Sequence, residues 1–341
     1  MVQASTIGMD IAKQVFQIHG ADETGAVVLR KKLGRAKVLT FFASQPPCVV
    51  AMEACGGSHY WAREIAKLGH EVKLIAPKYV KPFVKRQKND MADAEAICEA
   101  AQRPTMRFVA VKSEAAQASG LVFRARDLLV RQRTQIINAL RGHLTECGWV
   151  VAKGTAHVAQ LTLIESPTAQ LPAEVRQCLG VLAASLKDLD EKIDLLDGEI
   201  TKRAKQDPVA RRLTTIPGIG PITATAIAAL APPVGSFSKG RDFAAWVGLT
   251  PLQKSTGGKQ KLGATSRMGE RTIRRLLIIG ASAVVRQAAR RGAPKDSWLA
   301  RMLARKPRML VTVALANKTA RIVWALLTKG EVYKAPVVVA A

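Results

Sequence analysis

Four acidic residues stand where a metal site for phosphodiester chemistry needs them. Asp10 ends the apolar run Thr6-Ile7-Gly8-Met9, Glu53 ends Val49-Val50-Ala51-Met52, and Asp90 and Asp93 lie three residues apart in Lys88-Asn89-Asp90-Met91-Ala92-Asp93-Ala94. The chain carries 52 Lys and Arg against 26 Asp and Glu, so carboxylates are scarce. Most of these four sit in or against apolar segments, where a charge is costly unless a metal or partner offsets it. Carboxylates from separate strands, joined by an Asp pair on one helix face, can converge on two divalent ions roughly 4 Å apart. That arrangement activates an oxygen nucleophile and stabilises the leaving oxygen in phosphoryl transfer. Mg2+, a hard ion that prefers oxygen ligands, is the natural candidate. The other reading of the pair makes Asn89-Asp90 a helix N-cap and Asp93 an ordinary acid of the first turn.

A second constellation is the loop Lys254-Ser255-Thr256-Gly257-Gly258-Lys259-Gln260-Lys261-Leu262-Gly263. A hydroxyl among glycines and lysines has backbone donors and positive charge at hand, which suits phosphate binding or nucleophilic attack on phosphorus. No histidine or carboxylate lies close in sequence to activate Ser255. The loop therefore reads first as phosphate-contacting, with a catalytic serine as the alternative. A third feature is Thr215-Ile216-Pro217-Gly218-Ile219-Gly220-Pro221, between a helix ending near Leu213 and another starting at Pro221. Gly218 and Gly220 permit a tight turn that leaves N–H groups free at a helix N-terminus for a phosphate, in the manner of a helix-hairpin-helix; the other reading is a plain interhelical turn.

These residues need elements to position them. Strand patterns at Ile7–Ile11, Val15–His19 and Ala26–Leu29 open the chain as a meander. Apolar runs at Val49–Met52 and Val72–Ile75 suit buried parallel strands, and Tyr60–Leu68 has helical period. The expected fold is a mixed α/β sheet with Asp10 and Glu53 at the carboxyl ends of neighbouring strands. Ser113–Cys147 reads as one long helix. A looser stretch through Gly154, Pro167 and Pro172 precedes a second, whose Leu179, Leu182, Leu186, Leu189, Ile193, Leu196 and Ile200 alternate steps of three and four. That heptad seam predicts a coiled-coil-like pair, within the chain or between subunits. Beyond the hairpin come a helix stopping at Thr250-Pro251, a polar loop, and basic helices over Thr272–Ala289 and Leu310–Leu327. Three parts result: 1–110 mixed sheet, 111–208 long helices, and 209–341 a helical domain.

At 341 residues and 48% hydrophobic content the chain has ample core material. Its formal charge of +26 calls for a polyanionic partner. Residues 236–341 hold 21 basic and 4 acidic groups, a net +17, against +5 for residues 1–105 with 15 and 10. Nucleic acid is favoured over a membrane, since no segment approaches the roughly 18 apolar residues of a spanning helix. The start lacks the basic region of a signal peptide. Five scattered cysteines read as reduced cytosolic thiols. Lys259, Lys261, Arg267, Arg271, Arg274 and Arg275 are candidate phosphate contacts beside Thr256 and Gly257, and an aromatic share of 5% fits backbone contact better than base stacking.

Taken in order, Gly8-Met9-Asp10, Met52-Glu53-Ala54, Asn89-Asp90-Met91-Ala92-Asp93, Ile216-Pro217-Gly218-Ile219-Gly220, and Gly248-Leu249-Thr250-Pro251 followed by Ser255-Thr256-Gly257-Gly258 resemble the DEDD transposases of insertion sequences, the bridge-RNA- or seekRNA-guided recombinases. The resemblance spans nearly the whole chain. It implies a RuvC-like domain of RNase H fold whose metal-binding tetrad is Asp10, Glu53, Asp90 and Asp93. It implies a C-terminal transposase domain whose serine, assigned to Ser255, forms a phosphoserine link to DNA. It further implies a noncoding RNA pairing with donor and target DNA, so that the protein reads backbone and helix shape. A composite site shared between subunits, hence a dimer or tetramer, and a cytoplasmic, nucleoid-associated location also follow from the resemblance. Two rival readings are a Holliday-junction-resolvase-like endonuclease with water as nucleophile, and a non-catalytic nucleic-acid-binding factor.

Overall fold

The structure, a computed structural model, describes residues 3–85, 89–154, 157–158, 160, 171–294 and 296–335; Lys88 and Pro167 lie outside them. The described chain forms two compact units, residues 1–114 and 115–341. In the first, β1 (Thr6–Ile11), β2 (Val15–Ala21) and β3 (Val27–Gly34) make the expected meander, followed by α1 (Val38–Ala43), β4 (Val49–Glu53), α2 (Ser58–Lys67), β5 (Glu71–Ile75), α3 (Pro77–Val80), α4 (Asp90–Ala101) and β6 (Phe108–Val109). The sheet order is β3-β2-β1-β4-β5-β6. β1, β4 and β5 run parallel, while β2, β3 and β6 join antiparallel. This is the RNase H-like mixed sheet.

Side-chain alternation along β1 and β4 sorts the residues between two faces. Ile7, Met9, Val50 and Met52 point into a core with Phe42, Trp61 and Ile65, under α1 and α2. On the opposite face Ala51 joins Ile97 and Ala100 of α4. Gly8 shares that face, and a Cβ there would lie 2.3 Å from the Ala94 carbonyl oxygen and 2.5 Å from the Cys98 nitrogen. The small residues Gly8 and Ala51 thus let α4 lie almost directly on the sheet. Two residues further along each strand, on the same face, come Asp10 and Glu53.

The second unit contains α5 (Glu114–Glu146), α6 (Ala173–Gln206), α7 (Pro208–Leu213), α8 (Pro221–Leu230), α9 (Gly240–Trp246), the hairpin of β7 (Pro251–Gln253) and β8 (Leu262–Thr265), α10 (Arg271–Arg291), α11 (Trp298–Arg305) and α12 (Arg308–Lys329). The heptad seam packs within the chain: Leu179 and Leu186 meet Ile137, Leu140 and Leu144 of α5. Ion pairs Arg126–Asp197 and Arg133–Asp190 set the two helices antiparallel along one flank. Phe123, Ile200 and Ala204 continue into the large core built by Leu213, Ile227, Phe243, Leu277 and Val323.

Two expectations need correction. The stretch after Pro251 is a two-stranded hairpin in place of a polar loop. α12 is also long and apolar enough, by length and composition, to span a bilayer. Ala316, Ala320, Val323 and Leu326 nevertheless sit in the core of this unit, which accounts for its apolarity.

α10 is bound to the α7–α8 turn by a contact that only glycine permits. A Cβ on Gly280 would fall 1.9 Å from the Gly218 carbonyl oxygen. Gly280→Ala should therefore force two backbones apart and lower the stability of this unit by about 3 kcal/mol, the upper part of the overpacking range. Denaturant unfolding followed by helical circular dichroism measures it.

Candidate active site

Asp10, Asp90 and Asp93 come together: one carboxylate oxygen from each lies within 4.8 Å of the others. Their assembly is local chemistry joined by one close approach. β1 delivers Asp10 at its carboxyl end. Asn89 caps α4 by accepting the Met91 N–H at 3.0 Å, so Asp90 and Asp93 occupy the first turn, where the helix dipole favours negative charge. The cap and the acidic cluster, alternatives on paper, are one arrangement.

Glu53 stands beside this trio. β4 is in register with β1 through Met9 and Met52, which sets Glu53 next to Asp10 at the neighbouring strand end. Burial raises the Asp10 carboxyl above its ordinary value, and the charges of Asp93 and Asp90 raise it further. Glu53 is raised in the same way, by burial first and then by Asp10 and Asp93. Among the described residues no ion pair reaches any of the four. Asp10, Glu53 and Asp93 are half-buried and Asp90 is exposed, and mutually repelling acids of this kind fit a divalent ion that takes oxygen ligands.

Gly8 seats α4, a role that the motif Gly8-Met9-Asp10 does not by itself assign. The signal was present: a glycine inside an apolar strand marks a close backbone approach.

The other named residues belong to the second unit. Ser255 lies on the β7–β8 hairpin, every residue of which from Pro251 to Leu262 is exposed. Its Oγ accepts the Lys261 N–H at 3.1 Å. Thr256 and Lys259 pair across the turn, which Gly257 and Gly258 close at φ 54° and 75°. Two consecutive positive φ values match the strand twist of a tight hairpin and are accessible to glycine. Ser255 and Thr256 are thereby presented at the end of a cationic finger, flanked by exposed Lys254, Lys259 and Lys261.

Gly218 turns at φ 86° and packs on Gly280, whereas Gly220 is the exposed N-cap of α8. The six candidate cations divide. Lys259, Lys261, Arg267 and Arg271 are exposed. The Arg274 Nη1 instead donates to the Val247 and Met268 carbonyls at 2.9 and 2.8 Å, tying the chain before α10 to the end of α9. Arg275 forms an ion pair with Asp127 of α5.

Comparison with known proteins agrees with this geometry. Residues 7–148 match a transposase family model of the IS110 DEDD type, and residues 210–294 match the transposase IS116/IS110/IS902 family. A probable family 20 transposase of Pseudomonas aeruginosa is 49% identical over 97% of this chain and 98% of its own length. The transposase for insertion sequence element IS1328 of Yersinia enterocolitica is 40% identical, covering 98% of this chain and 99% of its own. The transposase for IS1111A of Coxiella burnetii is 39% identical over 98% and 92%. With an acidic cluster on an RNase H-like sheet and relatives matched end to end, the chain belongs to the IS110/IS116 family of DEDD transposases, enzymes of DNA strand transfer.

Proposed function

We propose that the chain is an RNA-guided DNA recombinase that cleaves and rejoins strands through a covalent serine intermediate. The observation that carries the reading is the convergence of Asp10, Asp90 and Asp93, with Glu53 beside them, at the end of β1 and the first turn of α4. These four would hold Mg2+, which when bound supplies charge neutralisation at the scissile phosphate and activation of the attacking oxygen.

The remaining steps fall to the chain's own groups. Ser255 Oγ bonds to phosphorus as the bond from phosphorus to one deoxyribose oxygen breaks, and the serine proton ends on that departing oxygen. A hydroxyl of the incoming strand then attacks the phosphoserine, restores the P–O bond to sugar and returns the proton to Ser255. One P–O bond replaces another at each stage, so no external energy source is needed. Lys254, Lys259 and Lys261 hold phosphates around the hairpin. Among the described residues, the ion pair formed by the cations of 236–335 is that of Arg275. Arg274 is held by backbone carbonyls, whereas exposed cations such as Lys259, Lys261, Arg267 and Arg271 are open to a polyanion, in keeping with DNA and a noncoding guide RNA read by shape.

The hairpin has no base beside Ser255 among the described residues. This supports a composite site in a homo-oligomer, where the acids of one subunit (domain 1–110) serve the serine of another (domain 209–341), the 111–208 helices lying between these domains in the chain.

Incubating protein, guide RNA and DNA and then denaturing tests the proposal. A protein–DNA adduct should form, be lost in Ser255→Ala and persist in Thr256→Ala. Free nicked DNA with no adduct would instead identify water as the nucleophile and leave Ser255 a spectator.

A further inference from the structure

The low aromatic content of this chain is not spread evenly. Along one edge of the first unit, Tyr79, Phe83 and Phe108 each carry a cation on the ring: Lys78 Nζ at 4.6 Å, the Arg103 guanidinium at 5.7 Å and Lys73 Nζ at 5.3 Å from the ring centres. Tyr79, Phe83, Arg103, Pro104, Met106 and Arg107 line a cavity of about 470 Å3 there. Phe83 and Met106 are anchored from behind by Val80, Ile97 and Ala100. Tyr79 and Phe108 remain 36% and 41% exposed. An anchored ring beside two open ones, each with a cation on it, supplies the elements of a stacking platform for nucleobases, every base having a π-face.

The surrounding charge favours a polyanion. Lys78, Lys81 and Arg107 are exposed, and the acid next to the cavity, Glu99, is paired with Arg103 at 2.7 Å. The cavity also lies within reach of the acidic site. α3 follows β5, whose Ile75 is in register with Glu53. Asp90 is the first of the twelve residues of α4, and Arg103 lies two residues beyond its last. Twelve helical residues measure about 18 Å, a span of a few nucleotides.

We propose that this cavity seats an unpaired base of a single-stranded polynucleotide, stacked against Tyr79 and Phe83, with its flanking phosphates on Arg103 and Arg107. The inference rests on the chain acting on nucleic acid and is independent of which residues hold metal. It departs from the expectation, drawn from composition, that contacts are to backbone alone.

The test uses the full chain with short thymidine DNA strands, uridine RNA strands and a blunt DNA duplex, each followed by fluorescence anisotropy. Tyr79→Ala should weaken single-strand binding about tenfold, the effect of removing one stacking ring, and leave the duplex within about twofold. Tyr79→Phe should restore it, because the ring and not the hydroxyl carries the contact. Iodouracil placed in the strand should cross-link to Tyr79 or Phe83, and whichever of the DNA and RNA arms does so names the source of the base. Equal losses for duplex and single strand, or cross-links elsewhere with Tyr79→Ala at native affinity, overturn the proposal. Asp10→Asn should lose cleavage with Tyr79 intact; were it to keep full cleavage, the metal reading would fail while the cavity stood.

Discussion

Asp10→Asn should abolish strand cleavage and at the same time make the metal-free protein more stable. One Asp10 carboxylate oxygen lies within 4.8 Å of both members of the α4 pair, so on the proposed reading its removal takes a ligand from the Mg2+ that would neutralise the scissile phosphate. The loss in rate should be about a thousandfold or more, matching several kcal/mol of charge stabilisation. Stability moves the other way. Like charges at this separation repel by about 1 kcal/mol per pair in well-solvated surroundings, and the neutral amide relieves that. Tm without metal should rise by a few degrees.

The pH dependence has a definite sign. Asp10 and Glu53 hold their protons more tightly folded than unfolded, since burial and neighbouring charge raise both from the ordinary 3.8 and 4.5. Their destabilising contribution is fully present above the raised values and is relieved as pH falls through them. Other acids slope oppositely, such as Glu95, held down by its hydrogen bond from Lys85. The measurement is therefore the difference in unfolding free energy between wild type and Asp10→Asn across acid pH, which should shrink as pH falls. Mg2+ should raise the wild-type Tm and not that of the variant. A variant less stable than wild type in chelator, or equally stabilised by Mg2+, would refute the site.

Gly8→Ala should be nearly as damaging, although Gly8 ligates nothing. The new methyl would sit 2.3 Å from a backbone oxygen of α4 and 2.8 Å from the Cys98 Cβ. Neither can rotate away, so α4 must shift by about 1 Å, at a cost within the roughly 1–3 kcal/mol of overpacking. That displacement carries Asp90 and Asp93 away from Asp10. Misplacing reacting groups by 1 Å costs about a hundredfold in rate. Gly34→Ala is the control, since nothing lies within 4 Å of its added carbon, and it should cleave like wild type. Native cleavage by Gly8→Ala, measured on nicked DNA product, would show that α4 is not seated by this contact.

Much of this was legible from local pattern. Period-two and apolar runs locate β1, β2, β4 and β5 because burial of one face or both imposes them. The helical periods of α5 and α6 follow from the same cause. Asp10 and Glu53 are visible because charges closing apolar runs are rare in so basic a chain, and Asp90 and Asp93 by their three-residue spacing. The hairpin at Pro251–Thr265 is not legible in the sequence, since its short strands Pro251–Gln253 and Leu262–Thr265 carry no alternation of apolar and polar residues. Arg274 and Arg275 read as phosphate ligands because nothing in the sequence marks their contacts: Arg274 is held by backbone carbonyls 6 and 27 residues away, and Arg275 meets Asp127 across a separation of 148.

What the sequence determined alone was the identity and spacing of the acids, the strand ends and helix turn that bear them, and the seam of α6, all consequences of contacts between near neighbours. Tertiary structure decided that Asp10 and the α4 pair meet, that the seam closes within the chain, and that Gly218 serves packing against Gly280. Those outcomes depend on how closely two backbones approach, and that distance is set by atoms the chain brings together only when it folds.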